Sequence, residues 1–187
     1  MGVNRIIATA LSVVMLLGFS GCDAFGTRKA MGVMVGKLDG YNRALNDLDY
    51  QSVRNLTDWS EEDPDYTAIE TLFDVDHYGS EMGEDYKACT EYVASTILIV
   101  YDITSVKIED PYATLDVKYV MTDWQKVYSE PHDSCAEVLG ALKDSKEKLT
   151  IETTIVFEKY GDDYMLCRLN DLNQVMSFIY SVPEIKQ

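Results

Sequence analysis

Residues 149–169 read LTIETTIVFEKYGDDYMLCRL. Apolar side chains alternate with threonine and glutamate in the first half of this run, which is the period of a strand that is buried on one face. Gly161-Asp162-Asp163 then provides turn residues, and residues 164–169 lead back as a second strand. The run therefore predicts an antiparallel hairpin with one face in the core.

A second hairpin is predicted upstream, over residues 97–121. β-Branched and aromatic residues alternate from Ile97, and the alternation shifts by one position near Thr104 and Ser105, which we interpret as a β-bulge. Glu109-Asp110-Pro111 supplies the turn residues. The apolar positions of the returning strand are Ala113, Leu115, Val117, Tyr119 and Met121.

Helices are predicted before and between the hairpins. From Arg28 to Leu48 apolar residues recur at steps of three and four, which indicates a long first helix. We expect Asp49 to cap a short second helix and Pro64 to open a third. Shorter helical segments are expected near residues 86–93, after Pro131 and after Asp171. Helices packed on one face of an antiparallel sheet give an α+β fold.

Length and charge limit the classes of function. The chain has 187 residues, enough for one ordinary domain, and 47% of them are hydrophobic, so a core can form. The formal net charge of −16 repels nucleic acid, and we expect no binding to DNA or RNA. The electrostatic field of this negative charge favours cationic or neutral partners.

The N-terminus has the features of a signal peptide. Arg5 is the only charged residue in residues 1–21, and it precedes a mostly apolar run over residues 6–17. As a helix that run would rise only about 18 Å, which is less than the roughly 30 Å of a bilayer core. We therefore expect no permanent membrane span in this segment.

Phe19-Ser20-Gly21-Cys22 resembles the lipobox of bacterial lipoproteins, in which the cysteine receives a diacylglyceryl group and becomes the new N-terminus. The resemblance implies a signal peptide over residues 1–21, lipidation at Cys22, a tether over residues 22–29 and a domain over residues 30–187. It also implies a lipid-anchored protein on the extracytoplasmic face of the cell membrane. An ordinary signal peptide that ends near a cysteine is the alternative.

Three further cysteines are present: Cys89, Cys135 and Cys167. Cys167 lies in a strand-like run, which is typical of a small buried side chain. Cys89 and Cys135 lie in polar helical segments. The sequence leaves open whether these two form a disulfide or stay reduced.

Two segments resemble the NTF2-like superfamily. Residues 44–50 (ALNDLDY) look like its break between the first two helices, and residues 155–166 (IVFEKYGDDYML) look like its final hairpin, with Tyr164 where many members have tryptophan. The likeness covers roughly residues 28–179, and residues 128–146 depart from it. It implies a long helix across a strongly curved antiparallel sheet, which forms a cone with an open mouth.

The likeness also implies where a ligand would lie. We expect the cone lining to include Tyr41 of the first helix and three residues placed on strands, namely Tyr101, Tyr119 and Trp124. Enzymes that resemble ketosteroid isomerase or limonene epoxide hydrolase use carboxylates, histidines and tyrosines of this lining. Asp102 and Asp116 are carboxylates on the predicted strands. Both alternate out of phase with their apolar neighbours, which favours a solvated strand face.

Histidine chemistry and metal binding receive little support. His77 and His132 both fall in predicted loops. Asp74, Asp76 and Asp85 partly match a calcium-binding loop, with a tyrosine at the fifth position and aspartate in place of the last glutamate. A solvated acidic loop is the alternative. No cofactor motif is recognised.

The sequence thus predicts a membrane-anchored extracytoplasmic lipoprotein whose non-catalytic NTF2-like domain binds a small molecule or a protein partner of the cell envelope. One alternative is an enzyme with a polar residue in the cone cavity. Another is a spacer or assembly domain of an envelope complex, which an exposed apolar patch would support.

Overall fold

Helices pack against an antiparallel sheet in the computed structural model, which describes residues 23–76 and 84–183. The helices are α1 (Asp23–Asn46), α2 (Tyr50–Leu56), α3 (Pro64–Leu72), α4 (Glu84–Ser95), α5 (Trp124–Ser129), α6 (Cys135–Asp144) and α7 (Leu172–Val175). The strands are β1 (Leu98–Tyr101), β2 (Lys107–Glu109), β3 (Tyr112–Thr122), β4 (Lys148–Tyr160) and β5 (Asp163–Leu169). Short 3-10 turns lie at Ile103–Ser105 and Ser177–Ile179. The α+β prediction is confirmed.

All strand pairs are antiparallel, in the order β1-β3-β4-β5, and β2 also pairs with β3. Both predicted hairpins are present, and Gly161 turns the second with a φ of 63°, which glycine adopts at no steric cost. The predicted alternation is confirmed on the buried face. Its members are Ala113, Leu115, Val117, Tyr119 and Met121 of β3 and Ile151, Ile155 and Phe157 of β4.

Helix α1 packs its apolar stripe into the core. The buried side chains recur at steps of three and four: Met34, Leu38, Tyr41 and Leu45. Lys29 and Lys37 of this helix form ion pairs with Asp162 (2.9 Å) and Asp163 (3.0 Å), which lie at the turn between β4 and β5. Residues 23–29 of the predicted tether are helical and continue α1. At 1.5 Å per residue this segment spans about 10 Å, less than an extended tether would.

The predicted break between the first two helices is confirmed. Leu48 adopts a φ of 54°, and α1 ends at Asn46. The Asp49 side chain accepts a hydrogen bond from the Ser52 backbone N–H (3.0 Å) and so caps α2.

The interpretation of residues 104 and 105 as a β-bulge is wrong. The chain instead forms a 3-10 turn at Ile103–Ser105 between β1 and β2. The Asp102 carboxylate accepts from the backbone N–H of Thr104 (2.9 Å) and from its hydroxyl (2.7 Å), and these local bonds replace the strand ladder. The turn also interrupts the edge of the sheet, which shortens the backbone open to pairing with another chain.

Two further expectations need correction. Trp124 lies in α5 and not on a strand, because Asp123 accepts from the Lys126 N–H (3.1 Å) and starts a helix directly after β3. Asp171 precedes α7 as expected but makes no capping hydrogen bond through its side chain, since its φ of 62° takes it out of the usual capping conformation.

Two asparagines tie α1 to the segment that joins α4 to β1. Asn42 Nδ2 donates to the Ile97 carbonyl (3.0 Å), and its Oδ1 accepts from the Ile99 N–H (2.6 Å). Asn46, one helical turn later, donates to the carbonyls of Ala94 (2.7 Å) and Ile97 (2.9 Å). These bonds position the edge strand on α1.

Within the described residues, no helix is long and apolar enough to cross a bilayer.

Candidate functional site

The residues predicted to line the cone lie in and near the core. Tyr41 and Tyr119 are fully buried, their rings meet edge to face at 6.4 Å, and the Tyr119 hydroxyl donates to the Tyr41 oxygen (3.2 Å). Burial raises the pKa of both phenols, so both stay neutral. Trp124 packs against Tyr128 and Phe178, whereas Tyr101 is half-buried at the end of β1.

None of these four predicted lining residues borders either of two clefts on the described part of the chain. The hydrogen-bonded pair of Tyr41 and Tyr119 joins α1 to the middle of β3 and contributes to the packing of the core. Contact of these residues with a ligand stays a prediction.

The two carboxylates placed on predicted strands are exposed, and Asp102 lies directly after β1 and not on a strand. Asp102 caps the 3-10 turn, and its bonds to Thr104 lower the pKa of Asp102. Asp116 accepts a hydrogen bond from the Thr154 hydroxyl (2.7 Å) on the solvated face of the sheet. His132 contacts the Val127 carbonyl oxygen through Nε2 at 2.8 Å. His77 lies outside the described residues.

A cleft of about 600 Å³ lies between the end of α1 and α4. We call it the acidic cleft. Among the described residues, five carboxylates line it, namely Asp47, Glu70, Asp74, Asp76 and Glu91, together with one basic residue, Lys87. Leu48, Tyr50, Phe73 and Val75 supply apolar surface, and Asn46 completes the lining.

Cations within the protein neutralise part of this charge. Lys87 pairs with Asp76 (2.7 Å), and Arg54 pairs with Glu70 (3.3 Å) while its guanidinium lies over the Tyr50 ring at 5.0 Å. No salt bridge to Asp47 or Glu91 is found in the described part of the chain. The cleft therefore keeps a net negative charge beside apolar and aromatic surface.

The calcium prediction falls partly on this cleft. Asp74 and Asp76 are exposed and line it, and Asp85 lies in the first turn of α4. Residues 77–83, which would form the rest of the calcium loop, lie outside the described residues. Calcium binding at Asp74, Asp76 and Asp85 therefore stays a prediction.

A second group of titratable side chains lies where the segment after α2 meets β4 and β5. One ligand atom each from Asp58, Glu158 and Cys167 lies within 4.8 Å of the others. We call these three residues the bulge cluster, because the β4–β5 register shifts between Val156 and Phe157 and leaves Cys167 as the extra residue. Asp58 is held there by the bond from its N–H to the Leu166 carbonyl (3.1 Å).

The bulge cluster borders a cleft of about 560 Å³ through Cys167. Trp59 forms one wall of that cleft, and its Nε1 donates to the Cys167 carbonyl (3.2 Å). The rest of the lining combines apolar and polar groups: Ala68, Ile69, Leu72, Arg168, Leu169, Asn170, Asp171, Leu172, Asn173 and Gln174.

Burial and neighbouring negative charge raise the pKa of two groups in the bulge cluster, Asp58 and Cys167. Burial, followed by a hydrogen bond and repulsion from Glu158, raises the pKa of Asp58. Burial and the same two carboxylates raise the pKa of Cys167 to about 11, so its thiol is not a nucleophile at neutral pH. A divalent metal held by Asp58, Glu158 and Cys167 would have to displace the thiol proton of Cys167.

We predict that Glu158→Gln lowers the pKa of Asp58, because the amide removes the neighbouring negative charge and can donate to the Asp58 carboxylate. The measurement is an NMR titration of the Asp58 carboxyl carbon. Glu152→Gln on the same strand is the matched control and should leave the Asp58 titration unchanged. An unaltered Asp58 titration in Glu158→Gln would show that the two carboxyls do not interact.

The raised pKa of Asp58 also makes the stability of the fold depend on pH. Because the pKa of Asp58 is higher in the folded than in the unfolded chain, its stabilising contribution is present at acid pH and is lost as the pH rises through the folded value. Asp58→Asn should remove that part of the pH dependence of the free energy of unfolding.

Sequence reasoning missed the bulge cluster because Asp58 is about a hundred residues away in sequence from the hairpin that carries Glu158 and Cys167. Asp58 follows α2, Glu158 lies near the end of β4, and Cys167 lies on β5. No spacing rule connects them. The bulge that turns Cys167 toward the carboxyls arises from strand pairing, which the local alternation does not reveal.

Comparisons of this chain with protein family models, with curated proteins and with solved structures found no match.

Proposed function

We propose that the protein is a lipid-anchored lipoprotein of the extracytoplasmic membrane face whose NTF2-like domain binds a positively charged small molecule in the acidic cleft. The observation that carries the location is the sequence Phe19-Ser20-Gly21-Cys22 behind a short apolar run with one basic residue. Residues 1–22 lie outside the described part of the chain. The anchor is tested by measuring whether a Cys22→Ala variant still sediments with the membrane.

The acidic cleft supports the ligand class. Its volume of about 600 Å³ lies within the range of roughly 300–1,000 Å³ that small-molecule sites occupy. An amine or quaternary ammonium group would be attracted by Asp47 and Glu91, and its hydrocarbon part would contact Leu48 and Tyr50. The net charge of −16 adds a long-range attraction for the same class of ligand.

The experiment is a calorimetric titration of the protein with spermidine, choline and cadaverine. We expect at least one of these cations to bind, and the double variant Asp47→Asn/Glu91→Gln to weaken that binding by about tenfold, since two close charge pairs contribute about 1.4 kcal/mol together. The double variant Asp116→Asn/Glu152→Gln removes the same charge from the exposed sheet face and is the matched control.

Two results of this titration would contradict the proposal. One is that none of the three cations binds. The other is that both double variants weaken binding equally, because the net charge alone would then account for the affinity. A partner protein would be the remaining candidate for the binding domain. A calorimetric titration with calcium chloride tests calcium binding at Asp74, Asp76 and Asp85.

A second candidate function is acid–base catalysis at the bulge cluster. The observation that favours it is a carboxyl with a raised pKa, Asp58, beside the cleft that Trp59 borders. Asp58 would act as the general acid and base. The Glu158 carboxylate would accept a hydrogen bond from the protonated Asp58. If Asp58 titrates in the ordinary carboxyl range, this candidate is removed.

A further inference from the structure

Two cysteines from different helices lie close together at the contact between α4 and α6. Cys89 lies in the middle of α4 and is fully buried, and Cys135 is the first residue of α6. The Cys89 sulfur lies 3.6 Å from the backbone oxygen of Cys135. We propose that Cys89 and Cys135 form a disulfide bond that joins α4 to α6, while Cys167 remains a thiol.

The environment indicates a structural bond and not a redox-active one. Burial raises the pKa of Cys89 to about 12, and the Cys135 sulfur adds to the effect. Burial and Asp85 raise the pKa of Cys135 as well. Tyr128, itself buried, lies close enough to both sulfurs to interact with them electrostatically. Buried thiols with a raised pKa are poor nucleophiles. The disulfide would therefore form while the chain folds and would persist in the folded protein.

The proposal also accounts for the number of cysteines. Cys167 lies in the bulge cluster on β5, where its sulfur is within 4.8 Å of the carboxylates of Asp58 and Glu158. Cys22 carries lipid under the proposed function. The remaining two sulfurs are the pair that the fold brings together.

Bond formation is an exchange reaction. The sulfurs of Cys89 and Cys135 lose two electrons and two protons as their S–S bond forms. A disulfide oxidant, such as glutathione disulfide or an oxidised dithiol oxidoreductase, takes these up as its own S–S bond breaks and gives two thiols. That such an oxidant meets the chain in the cell rests on the proposed extracytoplasmic location.

The bond would close a loop that contains β1, β2, β3 and α5. Closing a loop of this length lowers the entropy of the unfolded chain, and we expect the oxidised protein to melt about 10 °C above the reduced protein.

The experiment refolds the full chain, carrying Cys22→Ala, in a buffer of reduced and oxidised glutathione. Free thiols are then alkylated, and the digest is analysed without reduction. We expect a linked peptide pair containing Cys89 and Cys135, an alkylated Cys167, and a melting temperature about 10 °C lower after reduction. Cys167→Ala should keep both the link and this difference.

Cys135→Ala should lose the link and melt like the reduced parent, and Cys89→Ala serves as a second variant if that protein does not fold. A natively folded chain with three alkylated cysteines, or one in which Cys167 is linked, would overturn the proposal. If the bond forms in glutathione buffer but the chain isolated from cells is fully reduced, the disulfide site stands and the extracytoplasmic location is contradicted.

Discussion

Replacing Cys22 with alanine is expected to move the protein from the membrane fraction to the soluble fraction almost completely. A diacylglyceryl group carries two acyl chains, and two chains anchor a protein stably where a single chain binds only marginally. The net charge of −16 opposes any residual attraction to anionic lipid.

The measurement is fractionation of cells after a high-salt wash, followed by detergent phase partition. Cys167→Ala is the matched control, because it removes a sulfur without touching the anchor and should leave the protein in the membrane. Mass spectrometry of the native protein provides a direct check, since the N-terminal peptide should begin at Cys22 and carry lipid. A Cys22→Ala protein that still sediments with membranes would contradict the anchor.

Replacing Asn42 with alanine is expected to destabilise the fold by about 3 kcal/mol. The variant loses the bonds from Nδ2 to the Ile97 carbonyl and to Asn46 Oδ1, and the Ile99 N–H loses the oxygen that it donates to. A buried donor left without a partner costs about 1–3 kcal/mol, and each lost bond adds about 1 kcal/mol. The edge strand β1 would lose its attachment to α1.

The measurement for Asn42→Ala is chemical denaturation with a parallel thermal scan. For a chain of this length 3 kcal/mol corresponds to a fall of about 6–12 °C in the melting temperature. Asn55→Ala is the matched control, because Asn55 is exposed on α2 and the change should stay within about 0.5 kcal/mol. Equal stability of the two variants would show that the side-chain bonds of Asn42 contribute nothing.

Local pattern was a reliable guide wherever short-range forces decide the structure. The strand alternation ending at Phe157 placed the apolar side chains of β4 on the buried face, and Asp49 capped α2 through a bond to a residue three positions away. The same reasoning was wrong at Thr104 and Ser105, where two hydrogen bonds to the Asp102 carboxylate gave a 3-10 turn. A phase shift in the alternation is common to a bulge and a turn, so the pattern could not separate them.

The candidate sites could not be predicted from local sequence pattern. The acidic cleft combines the end of α1 with α3 and α4, and the bulge cluster combines segments separated by about a hundred residues. The prediction from local pattern was wrong at Trp124. Its apolar ring suited a strand, but Asp123 caps a helix at that point, and the ring packs in the core against Phe178.

The amino-acid sequence alone determined the α+β class, the two hairpins, the start of α2 and the acidic charge, because each depends on periodicity, turn chemistry or composition within a short window. It is also the only basis for the lipid anchor at Cys22. Tertiary structure decided that Asn42 holds β1, that Cys89 meets Cys135 and that Asp58 meets Glu158. Those contacts depend on how distant segments pack, and the free energy of packing is set by the whole core and not by the neighbours of a residue in the chain.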